Sequence, residues 1–338
     1  FLKRGPKIVA IGGGTGLATL LRGLKEYTGN LTAIVTVADD GGSSGVLRRE
    51  LGVLPPGDVR NCIAALADAE PLVTKLFQYR FSDGSGLAGH SFGNLFIVAM
   101  SGVVGNFEEG IRQTSRVLAV RGQIIPSTLA NVTLCARTDD ERTIQGESLI
   151  GTANGETDAR IKEVYLLPRN PPAHPEAVRA ILEADLVILG PGSLYTSVLP
   201  NLLVDGIKRS IMAASAPKVY ICNVATQHGE TDGFDVADHL STIEDHIGKG
   251  IIGYVLANSN LPASIPKAPQ SQAVRLDAKV NNGIRLIEAD VISEENRYHH
   301  DSTRLAQAVM RIYYDRDQAA APEVIETVED LVVSAIDK

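Results

Sequence analysis

Three stretches of this 338-residue chain set glycines beside hydroxyls or carboxylates where an apolar run stops: GGGTG (12–16), ADDGGSSG (38–45) and GPGSLYTS (190–197). Glycine lets the backbone come close to a guest, and successive N–H groups at a helix start hold an anion. Gly12, Gly13, Gly14 and Gly16, with the Thr15 hydroxyl as an added donor, read as a phosphate cradle. The dinucleotide fingerprint is not met, because Leu17 stands at its sixth position, and no Walker lysine follows. What remains is a strand-to-helix turn with the physics of phosphate binding. Ser193, Tyr195, Thr196 and Ser197, placed after Gly190 and Gly192, repeat the arrangement with hydroxyl donors, and phosphate or diphosphate is the natural guest.

Asp39 and Asp40 raise a separate question, since adjacent carboxylates repel and the glycines after them are costly to order. Asp39 follows Gly16 by 23 residues, near the spacing at which such folds place a ribose-binding acid. One acid is expected to hold sugar hydroxyls and the other to bind magnesium or orient a substrate hydroxyl. Gly41, Gly42, Ser43 and Ser44 offer further donors to phosphate. The plainer alternative, an acid cap before GVLRREL, explains one aspartate and not both. Asp58 and Asn61, with Arg60, in PPGDVRN, and His90 and Asn94 in GHSFGN, are expected on loops that converge on the same rim. Arg297 is a candidate clamp for diphosphate or carboxylate. The neighbouring His299 and His300 would splay apart on a helix or strand, so a solvated helix start suits NRYHHDS better than a metal box. The polar stretch 226–231 is either a flap over the site or an ordinary loop. No nucleophile, base and acid form a triad.

The elements that must position these groups follow from periodicity. KIVAI (7–11) is a short apolar strand, LATLLRGLKEY has helical spacing, and LTAIVTVA (31–38) is a second strand, a βαβ unit. GLAGHSFGNLFIVAMSGVVG predicts an apolar helix whose glycines and Ser91 leave its start open to a ligand. ANVTLCARTDDERTIQGES predicts an antiparallel hairpin around a Thr-Asp-Asp turn, and with it a small lobe across about 123–168. ADLVILGPGSLYTSVLPNLL, KVYICNVATQ and GIIGYVLANS then return to buried strands and helices. The expectation is an α/β, doubly wound, mainly parallel sheet in one domain over 7–315, with a helical tail at 316–338.

Composition narrows the function. A net charge of -8, with no run of lysine and arginine, argues against nucleic acid. Cys62, Cys135 and Cys222 are odd in number and far apart, which argues against disulfides and structural zinc and for a reducing cytoplasm. No apolar run reaches the length of a bilayer span. The opening FLKRGPK is basic enough to follow a membrane anchor and equally suits an ordinary domain start. The apolar helix LFIVAMSGVVG makes a homodimer the expected state if that helix is not core.

VAIGGGTGL, VADDGGSSG, PPGDVRN, GHSFGN and GPGSLYTSVLPNL, taken in order, resemble the gluconeogenesis factor (YvcK-like) family within the superfamily of 2-phospho-L-lactate transferase. The likeness runs from about Lys7 to the region of Asp301. It implies a Rossmann-like three-layer fold. For the transferase relatives it implies magnesium and a guanosine diphosphate group carried to or from a deazaflavin precursor. For the factors it implies binding of uridine diphosphate sugars, notably UDP-N-acetylglucosamine, in control of cell shape and peptidoglycan synthesis during gluconeogenic growth. GGSSG and GPGSLYTS side with the factors. By the same resemblance Gly12 to Gly16 match the first ligand loop, and Asp39, Asp40 and the glycines and serines after them match the second. Gly192, Ser193, Leu194, Tyr195, Thr196 and Ser197 match the phosphate loop, and Arg297 stands where the family has a basic residue before a His-Asp pair. Tyr298 and the doubled histidine depart from that pattern.

Two functions are therefore weighed. One is a nucleotide-sugar sensor that passes its state to an envelope-synthesis protein. The other is a transferase in which Asp39 or Asp40 holds magnesium or activates an acceptor. Nicotinamide redox chemistry is disfavoured by the failed fingerprint, and NAD(P) in such a cleft would be an adventitious ligand.

Overall fold

The computed structural model describes residues 4–84, 86–155, 159–262, 270–276 and 283–315. The tail expected at 316–338 lies outside the described residues. β1 (Ile8–Gly12), α1 (Gly14–Leu24) and β2 (Leu31–Val35) form the opening βαβ unit. Five helices follow, α2 (Gly42–Leu51), α3 (Gly57–Leu66), α4 (Pro71–Gln78), α5 (Phe92–Val104) and α6 (Phe107–Val117), before β3 (Gln123–Pro126) pairs with β2. A second unit comprises β4 (Thr133–Thr138), β5 (Thr143–Gln145), α7 (Glu147–Gly155) and β6 (Ile161–Leu167). Then come α8 (Pro175–Leu182), β7 (Leu186–Leu189), a π-helical turn at Leu194–Val198, α9 (Leu199–Leu202), α10 (Asp205–Ala213) and β8 (Lys218–Ile221). α11 (Val236–Ile247), β9 (Tyr254–Asn258), β10 (Arg285–Ala289) and α12 (Ser302–Asp315) complete the described order.

The main sheet has seven strands in the order β10-β9-β8-β7-β1-β2-β3, and every pairing is parallel. Strands buried on both faces need apolar side chains at every position, and β1 and β2 are buried throughout. Their residues alternate between two cores. Ile8, Ala10, Leu31 and Ala33 face the helices α1, α3 and α12, whereas Val9, Ile11 and Ile34 face α8, α10, α11 and the small sheet. From β1 the chain builds outward to β3 on one side, then from β7 to β10 on the other. The β1–β7 boundary is thus the topological switch point, where open α/β sheets receive their ligands.

Four expectations need correction. β2 stops at Val35 and not at 38, because the chain turns away after Thr36, whose N–H still reaches the Gly12 carbonyl at 3.3 Å. The antiparallel unit does not begin near 123: Gln123–Pro126 is the edge strand of the main sheet, and the smaller sheet, in the order β5-β4-β6, begins at Thr133. The hairpin Cys135↔Gln145, Arg137↔Thr143 forms as expected, with β6 as an added third strand. Leu134, Ala136, Val164 and Leu166 of this sheet pack into the same core as Ile11 and Ile34. The start of α5 is not open to a ligand, because the Ser91 side chain accepts the Asn94 N–H at 3.1 Å and caps it. Finally, the helix after GPGS opens as a π turn, Val198 N–H reaching back five residues to the Ser193 carbonyl at 3.0 Å. Among the described residues no helix is long and apolar enough to cross a membrane. The three cysteines are buried and free.

Candidate functional site

A cleft of about 310 Å³ opens at the switch point. Gly13, Gly14, Thr15 and Gly16 line it from the start of α1, and Gly192, Ser193, Thr196 and Ser197 line it from the π turn. The two loops are pressed together: a Cβ on Gly16 would stand 2.8 Å from the Pro191 carbonyl oxygen, so only glycine fits there. Gly13 faces Asp58 with equally little room. Amides and hydroxyls of both helix starts thus converge on one small volume, the arrangement that binds phosphate oxygens. No lysine or arginine is among the described residues lining the cleft. Ser193 is held from behind by Gln227, whose Nε2 donates to its Oγ at 2.6 Å, and Asn223 Nδ2 donates to Gln227 Oε1 at 3.3 Å.

Opposite the amides stand carboxyls. Asp39 and Asp58 line the cleft together with Glu147, the first residue of α7. Burial pushes Asp39 above the usual carboxylate range, opposed by hydrogen bonds from the Gly41 N–H and Ser44. Asp58 is pushed up to about 7, by burial first and by Asp39 second, although its Oδ1 accepts the Gly14 N–H at 2.9 Å. Glu147 is pushed up to about 8, by burial and then by the charges of Asp39, Asp58, Glu230 and Asp40. Glu230, just beyond, is pushed up to about 7 by burial, opposed by the Thr196 hydroxyl and the Tyr195 N–H. Such a set of like groups holds protons near neutrality unless a cation or hydrogen-bond donors join it.

The expected partner of Asp39 was Asp40, and the structure supplies Asp58 in its place. Asp40 is not among the cleft-lining residues. Its Oδ1 accepts the Ser148 N–H at 2.9 Å, so it caps α7 from another part of the chain, and a Cβ on Gly146 would come within 2.5 Å of its Oδ2. Adjacent residues of an extended segment point opposite ways, which explains why one acid meets the cleft and its neighbour meets the smaller unit. The second loop departs further. Gly41, Gly42, Ser43 and Ser44 do not line the cleft, and both serines are buried. Asn94 Nδ2 donates to Ser43 Oγ at 3.1 Å, which leaves the Ser43 hydroxyl hydrogen for His90 Nδ1 at 3.0 Å. His90 Nδ1 and Asn94 Nδ2 are therefore engaged in bracing α2, while Asn94 Oδ1 is buried without a hydrogen-bond partner. Gly12 ends β1, and its carbonyl accepts from Asn201 Nδ2 at 3.0 Å. Asn61 accepts from Arg60 at 2.8 Å, and Leu194 and Tyr195 are buried in the core.

Arg297 is exposed and is not among the cleft-lining residues. Its neighbours Tyr298, His299 and His300 are. His300 is buried, and its Nε2–H donates to the Cys222 carbonyl at 3.2 Å. Burial pulls it down to about 4, so it is neutral across the physiological range. The expected helix start is present, with Asp301 Oδ1 accepting the Thr303 and Arg304 N–H groups at 3.0 and 2.8 Å as α12 opens, but residues 298–300 before it wall the cleft and are half-buried or buried rather than solvated. Thr36, Glu147, Asn223, Gln227 and Glu230 were not singled out, because none sits in a glycine-rich motif; only the polarity of 226–231 was a signal. Among the described residues no group of three or more His, Cys, Asp or Glu side chains is arranged to hold a metal ion.

This geometry can be set beside known proteins. The family model for 2-phospho-L-lactate transferase CofD matches residues 8–295. A Nostoc sp. protein, provisionally named a gluconeogenesis factor, is 53% identical over 321 residues, covering 92% of this chain and 70% of that protein. The gluconeogenesis factor of Bacillus subtilis is 46% identical over 312 residues, covering 90% of this chain and 97% of its own. The crystal structure of a UPF0052-family protein from Bacillus halodurans superposes with a TM-score of 0.84 at 43% identity, covering 91% of this chain and 99% of that one. With the family model matched over residues 8–295 and relatives of 46–53% identity over most of its length, the chain belongs to the gluconeogenesis factor family, within the group described by the 2-phospho-L-lactate transferase CofD model.

Proposed function

We propose that the protein is a cytoplasmic binding protein for a nucleotide sugar, with UDP-N-acetylglucosamine as the first candidate, and that its occupied state regulates an envelope-synthesis protein. The observation that carries this reading is the convergence of two amide- and hydroxyl-bearing helix starts, α1 and the π turn, on a cleft faced by Asp39 and Asp58. The diphosphate would take the amides and hydroxyls, and sugar hydroxyls would meet the carboxyls. Magnesium fits the same place. It binds through one or two carboxylates together with phosphate oxygens and retained water, so Asp39 and Asp58 would serve where no complete protein cage exists. Its contribution would be to neutralise diphosphate charge beside the acids.

A transferase remains the second reading, favoured by the transferase model's match over 8–295 and by a recessed acid pair beside the phosphate cradle. Calorimetric titration with UDP-N-acetylglucosamine, with and without magnesium, followed by chromatography of the recovered ligand, separates the two. Binding with the ligand returned intact supports the sensor. Absence of binding, or a changed ligand, sinks it in favour of transfer.

A further inference from the structure

A second, more open recess of about 590 Å³ adjoins the phosphate cleft, and the two share Glu147, Ser193 and Thr196. Its far side is made by Thr152 of α7 and by His228 and Glu230 of the loop after β8. Glu230 is the unusual group. One carboxyl oxygen is satisfied by the Thr196 hydroxyl and the Tyr195 N–H, whereas Oε2 is buried with no hydrogen-bond partner. A buried, unpaired carboxyl oxygen costs free energy that a fold without a ligand has no reason to retain. α7 closes over it: a Cβ on Gly151 would stand 3.4 Å from Glu230 Oε1, and α7 itself is fixed by the Asp40 cap.

The lining chemistry selects the guest. Two acids without the cleft's run of glycine amides disfavour an anion, the hydroxyls of Thr152, Ser193 and Thr196 disfavour an apolar group, and two acids without diphosphate oxygens to complete the shell are too few for a metal. Uncharged hydroxyl or amide N–H donors satisfy all three conditions.

We propose that this recess is a second ligand compartment, continuous with the phosphate cleft, which receives the hydroxyl- and amide-bearing sugar end of the ligand, with Glu230 Oε2 as its buried acceptor. The assignment rests on the nucleotide-sugar reading and says where the sugar lies and what recognises it. Glu147 faces the same space from α7 and supplies a second carboxyl.

The test is Glu230→Gln, titrated with UDP-N-acetylglucosamine and with UDP alone. The Tyr195 N–H requires an oxygen at one end of the side chain, so the amide nitrogen must occupy the acceptor position and present a donor to a donor. The expected result is affinity for the nucleotide sugar about tenfold lower, with affinity for UDP unchanged. Equal losses for both ligands, or no loss for either, overturn the compartment while leaving nucleotide binding intact. If the parent protein binds neither UDP nor the nucleotide sugar, the functional reading fails and this one with it. Should Glu230→Gln fail to fold, Thr152→Val, which removes a hydroxyl that lines the recess and not the cleft, is titrated with the same two ligands, with loss for the nucleotide sugar alone expected and equal losses or no loss overturning the compartment.

Discussion

The first and second glycine loops are close in composition and differ in use. Residues 12–16 and 39–44 each follow a strand of the βαβ unit, each precede a helix, and each offer glycine amides and hydroxyls. In the first, Gly13 to Gly16 face the cleft, with the Gly14 N–H alone already given to Asp58. In the second, Asp39 alone faces it, while Asp40 caps α7 and Ser43 is locked between His90 and Asn94. A loop's donors are available to a ligand only when its tertiary neighbours leave them unspent, and that is a property of the neighbours.

The largest effect expected from breaking this contrast comes at Gly16. Gly16→Ala drives a methyl against the Pro191 carbonyl and separates the two loops, so it should cost about 1–3 kcal/mol of stability and abolish measurable nucleotide binding. Thermal unfolding and calorimetry on the variant check both parts. A stable Gly16→Ala protein with parental affinity would mean that the loops need not touch.

A smaller and more discriminating effect comes from the adjacent acids. Asp40→Ala should lose about 0.5–2 kcal/mol, the usual worth of a helix cap, and keep its affinity for UDP. Asp39→Asn should fold normally and bind nucleotide and magnesium more weakly. Equal binding losses in the two variants would restore the acid pair as one unit and undo the contrast.

The gentlest probe is pH. Asp58, Glu147 and Glu230 have folded values near 7, 8 and 7, against ordinary values near 4, so the folded protein holds protons that the unfolded chain releases. Stability from these groups is greatest below about pH 4 and falls as pH rises toward 8. The melting temperature of the ligand-free protein should therefore decline between pH 5.5 and 8, a window set about those values, and Asp58→Asn should flatten part of the slope. A parental slope in Asp58→Asn would show that its proton is not linked to folding.

Much of the architecture was legible because a parallel strand buried on both faces must be apolar throughout, and KIVAI and LTAIVTVA carry that signature openly. β10 was not: its sequence RLIEA mixes charge into an edge strand and does not stand out. The start of the smaller sheet was misjudged because QIIP looks the same whether it pairs with β2 or with β4. At the site, motifs found the groups whose function needs glycine. They missed Glu147, and Gln227 and Glu230 stood out only as part of the polar stretch 226–231, because their significance lies in what folds against them.

The βαβ opening, the return to buried strands in the second half, and the two loops whose glycines permit a backbone to approach a phosphate are written in the local pattern of the chain. These follow from local periodicity and from steric freedom at single residues. That Asp58 and not Asp40 stands beside Asp39, that the tract 298–300 walls the cleft, and that α7 brings a glutamate to it came from assembly in three dimensions. Those choices depend on strand order across the β1–β7 switch and on burial among residues distant in the chain. A carboxylate acquires its role from the low-dielectric surroundings that assembly creates, and no local pattern encodes them.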